Sequence, residues 1–552
     1  MTLKCKLKLE TLGYMIAVLF WYIWQYINWN GDYLDTDNYF YALRATEMLQ
    51  HQYWAEHIFP YTNYPLGEIS HWTRAFDLFM ILFSLPFIGY MPLHSAVFFG
   101  GMFIAPFFGI LAAYYTLKCC RLIMTWKYRL CVFILLFIQA NVMREIVLNR
   151  PDHHAVFVFL TAFIFYKIIK FIQKKQLKDI TMAAVMAAFS LWMAAEGIFL
   201  FMTAAAFLFY GVCCLGCQYN VLKRFCLVYT CFSTLFWVIN PPYQGYLFMD
   251  SGRISLFYIL AFWWMVGFIF IAGYLQRQIY KIFVLTGGAI LLLLTYYCCG
   301  WLISPLDERI ITPFVARISE MEAGNLYTLA YPIVAMICSL FMIRKNINQG
   351  VFMFLLINLW IYGILTIFTR RFLPYSGFCA ALVLVLFLSH RKKVWGWVLL
   401  FILLEPLSFT VYALTDKMKV ENPLFLPVKN ISYLPQGAVV SDIFLSPYII
   451  WYFQRPTVAS PYHRNVEGIL DNHDILFSSD EAYVIELLKK HKVGSILLLP
   501  TSIDDQYYIE PMKNCDKLYG KILGCHNYPS WLKLLHEGDY YLLQVQLVQD
   551  GF

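Results

Sequence analysis

Between residues 12 and 413 the chain repeats one device, an apolar stretch of near-span length closed by a polar or basic turn. Such stretches fall near 12–29, 95–117, 130–147, 153–172, 180–195, 197–217, 224–240, 256–275, 280–303, 327–343, 350–368, 372–389 and 394–413. About 20 apolar residues cross a hydrocarbon layer as a helix, and about 17 suffice. That pattern predicts a multi-pass membrane protein with about thirteen transmembrane helices and one ambiguous extra stretch at 76–92. Composition agrees: 60% of residues are hydrophobic and 14% charged, where soluble domains carry about 25% charged residues. The run from Leu12 to about Trp29 follows Lys4, Lys6 and Lys8, and its end is crowded with Trp, Tyr and Asn. Without a small-residue cleavage site it reads as an uncleaved first span.

Charge sets the orientation. Basic residues collect in cytoplasmic loops. If 76–92 lies at the outer face or re-enters, the inside segments are Lys4–Lys8, Lys118–Arg129, Lys174–Lys178, Lys223–Arg224, Arg277–Lys281, Arg344–Lys345 and Arg391–Lys393, all basic. The N-terminus is then inside and the tail outside. Residues 1–413 carry 30 Lys+Arg against 18 Asp+Glu, and residues 414–552 carry 12 against 16. The chain therefore divides into a membrane domain, 1–413, with long outer loops 30–94 and 304–326, and an external domain, 414–552. The basic excess is explained by cytoplasmic loops, and no nucleic-acid partner is expected.

Short apolar runs at 437–443, 456–460, 494–500 and 540–548 read as strands, and 480–491 reads as a helix between them. This alternation predicts a small α/β domain. Cys515 and Cys525 lie close together in that tail. An oxidising compartment would allow a disulfide, and a reducing one two thiols; spacing does not choose.

The expected outer face gathers chemistry. Asp35 and Asp37 are two carboxylates near enough to share a hard cation, although solvated loop acids have the same pattern. Asp152 stands where a helix begins, a natural N-cap, but His153 and His154 follow it at the membrane edge, where ionisable groups are costly and often functional. Glu320 and Glu322 lie in the second long outer loop. Arg150 and Arg371 fall outside against the charge trend; snorkelling to headgroups explains that, and so does a planar fork for phosphate. Glu196 and Glu405 stand near mid-span positions. The sequence has no Walker A motif, no dinucleotide glycine fingerprint and no HExxH, so ATP, NAD and metalloprotease chemistry have no support.

Several segments together resemble the catalytic subunit of oligosaccharyltransferases, C-type glycosyltransferases. YPLGEISHWTRAFDLFMI (64–81) resembles a first-loop segment of that family, and 97–118 is similar to its second span. DTDNYFYALRATEML (35–49) looks like its first acidic motif, matching at Asp37 with Asp35 beside it. RPDHH (150–154) looks like the second acidic motif. ARISEMEAG (316–324) looks like the outer-loop motif, matching at Glu320, or at Glu322 under a strict Ser-x-x-Glu spacing. RRFLPY (370–375) looks like an Arg-Phe segment, matching at Arg371. The likeness covers most of 30–155 and recurs in patches to about 375. The family's Trp-Trp-Asp-Tyr-Gly motif, which reads the sequon hydroxyl, is absent; 441–453 is the nearest segment, and 456–465 has no motif match.

The resemblance implies thirteen spans with an external C-terminal domain. It implies a divalent ion, Mn²⁺ or Mg²⁺, held by Asp37, Asp152 and His154. Arg371 and Arg150 would bind the donor phosphate, and Asp37, Glu320 and Arg371 would be catalytic. Asp35, His153, His71, Arg74 and Glu322 are secondary candidates. The implied reaction moves a glycan from a polyprenyl (pyro)phosphate carrier to a protein or glycan acceptor at the outer face of a bacterial inner membrane. Transfer to lipid A, polysaccharide or Ser/Thr hydroxyls is the alternative, and a lipid-linked-sugar transporter a more distant one.

Overall fold

The structure is a computed structural model. It describes residues 3–29, 31–52, 54, 58–70, 72–214, 219–299, 307–311, 314–315, 318, 321–342, 349–389, 403–404, 428–500 and 514–547. The chain divides into two compact units. One comprises Met1–Leu34, Trp72–Pro305 and Glu320–Met418; the other comprises Asp35–His71, Leu306–Ser319 and Lys419–Phe552.

The first unit is helical. Helices occupy Leu3–Ile27, Leu93–Gly101, Ile104–Ile123, His153–Lys174, Leu177–Met193, Ile198–Cys214, Tyr219–Ile239, Leu256–Tyr274, Gln278–Cys299, Leu326–Leu340, Gln349–Phe368 and Leu373–Leu388. Among the described residues, nine helices are long and apolar enough to cross a membrane. The stretch expected at 394–413 lies, apart from 403–404, outside the described residues. The stretch at 130–147 is broken into Trp126–Phe137, Ala140–Met143 and a 3₁₀ turn at Arg144–Ile146. Within the ambiguous stretch, the helix Ala75–Ser84 has ten residues. At 1.5 Å per residue it rises about 15 Å, half a hydrocarbon layer.

Small residues set the packing of these helices. Ala183, Ala184, Ala187 and Ala188 are all buried on Leu177–Met193, which packs against His153–Lys174 and Tyr219–Ile239. Side chains this short let helix backbones approach closely where lipid supplies no hydrophobic drive. Every residue of Leu373–Leu388 is buried, among Leu326–Leu340, Gln349–Phe368 and Trp126–Phe137. A helix apolar on all sides belongs at such a centre. By contrast Leu12, Leu19, Phe20 and Trp24 on the first helix are exposed, as lipid-facing side chains are.

The second unit is α/β. Four strands lie in the spatial order Ala438–Ser441, Val493–Leu498, Tyr541–Val545, Leu532–His536, the first pair parallel and the other two antiparallel. Val440, Ile496 and Leu543 are fully buried in one core with Leu488 and Ile522. The expected helix over 480–491 is Glu481–Lys490, with Asp480 accepting from the backbone N–H of Ala482 and Tyr483. Cys515 and Cys525 form a disulfide, their Cα atoms 6.0 Å apart.

The first-loop segment 35–71 groups with this tail rather than with the helices that flank it. Its helix Thr36–His51 packs on Ser446–Phe453, with the Tyr39 ring 4.3 Å from Tyr448. Thr457 donates its backbone N–H to the Tyr61 carbonyl at 2.8 Å. The two-residue strands Ile58–Phe59 and Glu68–Ile69 pair within the same loop.

Candidate metal and phosphate centre

The site in the first unit is built at two helix starts and one helix break. Asp152 is in extended conformation and caps His153–Lys174, accepting from the His154 backbone N–H at 3.4 Å. The cap fixes Asp152 and turns both imidazoles inward, and all three side chains are buried. Asp152 Oδ1 lies 2.6 Å from His153 Nδ1 and Asp152 Oδ2 lies 3.2 Å from Arg150 Nη2. Arg150 is buried too, and pairs with Glu145. Burial alone would raise the Asp152 carboxyl, but His153, His154 and Arg150 outweigh it and hold the group well below the usual carboxylate range.

The break lies between Leu177–Met193 and Ile198–Cys214. Ala194 turns to extended backbone and Ala195–Gly197 makes one 3₁₀ turn. A Cβ on Gly197 would come within 2.2 Å of the Ser190 backbone carbonyl, so only glycine permits this turn. The turn delivers Glu196, whose side chain is 6% exposed, to 3.4 Å from His154 Nδ1 and 3.8 Å from His153 Nε2. Its other oxygen pairs with Arg371 Nε. Arg371 belongs to the 3₁₀ turn Arg370–Phe372 that leads into the central helix.

Asp152, His153 and His154 each offer a ligand atom, all within 4.8 Å of one another. Two imidazoles and buried carboxylates fit a divalent ion. Glu196 Oε1 is buried beside His154 Nδ1 at 3.4 Å and accepts no hydrogen bond among the described residues.

Of the residues singled out in the sequence, Arg150, Asp152, His153, His154 and Arg371 come together here. Asp37 belongs to the second unit, where its carboxylate accepts from Tyr462 Oη at 3.2 Å. Asp35 starts the same helix, its backbone N–H donating to Asn38 Oδ1 at 3.1 Å. Arg74 pairs at 3.1 Å with Asp77, and its backbone N–H donates to Asn240 at 2.7 Å. Glu322 pairs with Arg370 at 2.9 Å. His71 and Glu320 lie outside the described residues. Glu196, a doubtful mid-span charge by sequence, is instead central. Its signal was a lone acid before glycine at the junction of two apolar runs.

No family model and no curated protein sequence matches the chain. Solved structures do. The archaeal oligosaccharyltransferase AglB from Archaeoglobus fulgidus, in complex with an inhibitory peptide and a dolichol-phosphate, has a TM-score of 0.65 at 14% identity, covering 98% of this chain and 75% of that one. This chain has the C-type glycosyltransferase fold. The A. fulgidus enzyme in complex with Zn and sulfate has a TM-score of 0.60 at 14% identity, covering 88% and 66%. The same enzyme tethered to an acceptor peptide containing the NVT sequon has a TM-score of 0.62 at 14% identity, covering 95% and 72%. The helical unit with its long apolar helices and the small sheet domain both belong to this fold, in a multi-pass membrane protein.

Proposed function

We propose that this protein is a membrane glycosyltransferase that moves a sugar or glycan from a polyprenyl (pyro)phosphate carrier to an acceptor at the outer face of its membrane, in a bacterial inner membrane the periplasmic face. One observation carries the reading: buried imidazoles and carboxylates stand beside Arg371, within a fold shared with an enzyme solved with a dolichol-phosphate.

In this reading Arg371 holds the donor phosphate through its planar guanidinium. Its side chain, 32% exposed, is reachable by a headgroup while its Nε stays anchored on Glu196. Asp152 and its capped helix hold the two imidazoles in place. Arg150, engaged by Glu145 and Asp152, adds to the pull of His153 and His154 that keeps Asp152 ionised. A bound divalent ion would act as a Lewis acid, offsetting charge on the leaving phosphate. Asp37, Glu320 and Arg371 remain the proposed catalytic residues.

The acceptor divides two versions of this proposal. The segment 441–453, nearest in place to a sequon-reading motif, folds as the end of a strand, a 3₁₀ turn capped by Asp442, and the helix Ser446–Phe453. Its Tyr448, Ile449, Ile450 and Trp451 are buried. That favours an acceptor other than an Asn-X-Ser/Thr peptide, such as lipid A, polysaccharide or a Ser/Thr hydroxyl. The test is transfer of a labelled sugar from a polyprenyl-linked donor to Asn-X-Thr and Asn-X-Ala peptides, and to membrane lipids and glycans. A site that bonds a hydroxyl rejects the analogue lacking it by large factors, so strong preference for the Thr peptide restores N-glycosylation. Transfer to no acceptor removes the proposal.

A further inference from the structure

We infer that Lys118 and Lys170, with Lys167 behind them, bind the phosphate of an anionic membrane lipid at the end of the helical unit opposite the Asp152 centre. The inference does not depend on the transferase reading. From His153 to Lys170 the helix His153–Lys174 advances about 26 Å at 1.5 Å per residue, most of the roughly 30 Å hydrocarbon layer. The two places therefore meet opposite leaflets.

The cluster forms where two helices end and a third begins. Ile104–Ile123 packs along His153–Lys174, and Leu177–Met193 turns back against the latter. Three ammonium groups gather on the Tyr166 ring. Lys118 Nζ lies 5.5 Å from its centroid, and the Nζ atoms of Lys167 and Lys170 each lie 5.8 Å from it. Lys118 also stands 4.3 Å from Tyr114 and 5.4 Å from Tyr115. Ring faces attract cations and fix the three stems, but a ring carries no net charge to cancel theirs.

One carboxylate serves the cluster among the described residues. Asp179, fully buried, takes Lys167 at 3.2 Å and Lys170 at 3.0 Å on the same oxygen, Oδ1. Lys167, itself buried, spends a further donor on Met182 Sδ at 3.1 Å. Lys118 meets rings alone among the described residues. Three positive charges and one negative leave an excess of two. Lysines near helix C-termini complement the dipole, and lysines at a membrane edge ordinarily snorkel into water. That account covers Lys174, Lys175 and Lys178, which are exposed. It does not cover ammonium groups drawn together on one half-buried ring, where each raises the electrostatic cost of the others. An anion with several acceptor oxygens, set against Lys118 and Lys170, removes that cost.

The membrane supplies one. On Ile104–Ile123, Phe107, Ile110, Leu111, Tyr114 and Lys118 share a face at helical spacing, and none of them is buried. This face runs about 17 Å from Phe107 to Lys118, close to the roughly 15 Å depth of one leaflet. An acyl chain laid along it brings its phosphate to Lys118. Basic pockets between membrane helices take anionic headgroups in this way. An ammonium binds phosphate as a point charge, so the site selects net negative charge rather than one headgroup shape.

The test uses the purified full-length protein in detergent and counts bound lipid by native mass spectrometry as phosphatidylglycerol or phosphatidylcholine is titrated. The wild type is expected to bind phosphatidylglycerol at least about 10-fold more tightly than phosphatidylcholine, and Lys118→Gln with Lys170→Gln to lose roughly 25-fold, about 5-fold for each cation facing an anionic lipid. Lys118→Arg should bind as the wild type does. Lys174→Gln with Lys178→Gln removes the same charge from the exposed turn and should change binding by less than about 3-fold, since exposed charges are screened. Equal affinity of the wild type for the two lipids, or equal loss in the two double variants, would overturn the site. Thermal unfolding is followed with phosphatidylglycerol and with inorganic phosphate. Stabilisation by inorganic phosphate matching that by the lipid would make this a free-anion site and overturn the lipid assignment. Should the double variant fail to fold, Lys118→Gln alone is measured, with a loss of about 5-fold expected and an unchanged affinity overturning the inference.

Discussion

Tyr462 donates a hydrogen bond to the Asp37 carboxylate at 3.2 Å, across 425 residues of sequence. Tyr462 is buried, and its ring packs 4.3 Å from Phe40. A residue of the tail therefore sets the direction of the first-loop acid. Burial, and then the nearby Asp37 and Glu68 carboxylates, push the phenol well above its usual range, so it stays a donor at any physiological pH.

Tyr462→Phe removes that donor and little volume. A hydrogen bond to a charged group contributes about 1.5–3 kcal/mol, so sugar transfer is expected to slow by roughly 10-fold or more if Asp37 takes part in the reaction. Initial rates at saturating donor and acceptor check this, beside an unfolding curve that should shift little. Transfer at the wild-type rate would take Asp37 out of the chemistry.

Glu68 gives the second unit a pH dependence. Fully buried, its carboxyl is pushed up to about 7, with Ser460, Thr62 and Arg44 only partly offsetting the desolvation. The folded protein then holds this proton more tightly than the unfolded chain does. Its stabilising effect is complete below the usual carboxylate range near 4.5 and is lost as pH rises toward 7. A tenfold change in proton affinity is worth about 1.4 kcal/mol, so a loss of roughly 3 kcal/mol is expected across that window. Glu68→Gln should flatten the profile and be the more stable protein at pH 8. Unfolding midpoints from pH 4.5 to 8 measure it; parallel profiles for the two proteins would contradict the account.

Gly197→Ala should damage the site without touching a charged group. Its Cβ would meet the Ser190 carbonyl carbon and oxygen at 2.2 Å, both backbone atoms that cannot swing away. Displacing this turn moves Glu196 away from His154 and Arg371. A loss of transfer of about 100-fold or more is expected, since a 1 Å misplacement costs on that order.

Reduction of Cys515–Cys525 should destabilise the second unit. The bridge spans a sequence separation of 10, and closing a loop of that size contributes roughly 3 kcal/mol in the chain-entropy model. Cys515→Ser with Cys525→Ser is expected to lower the unfolding midpoint and to make the protein insensitive to dithiothreitol. A midpoint equal to the oxidised wild type would show the bridge is dispensable.

Much of the helical unit was legible because lipid imposes a length on each apolar run. The expected stretch 256–275 became Leu256–Tyr274 and 153–172 became His153–Lys174. Within the tail, 494–500 and 540–548 announced their strands through uninterrupted apolar runs. Leu532–His536 did not, because Lys533 and His536 break its pattern on an edge strand. Asp152 and the two histidines were legible as ionisable groups at a membrane edge. Glu196 was not, since its partners His154 and Arg371 are 42 and 175 positions away and an acid between apolar runs says nothing of its neighbours. The link from Tyr462 to Asp37 was hidden for the same reason: a hydroxyl in a stretch without a motif, 456–465, finds its acceptor only through the fold.

The grouping of 35–71 with 419–552 has a consequence for how the chain is made. At about 5–20 residues per second, the ribosome needs roughly 20–70 seconds to travel from the first of these segments to the last. Through that interval Tyr39 and Phe40, both buried in the finished protein, have yet to meet their ring partners, Tyr448 and Trp451 for the first and Tyr462 for the second. A nascent chain thus carries a waiting surface that a chaperone must shield and a protease can recognise. A chain truncated before residue 419 would keep its apolar helices and still be marked as unfinished.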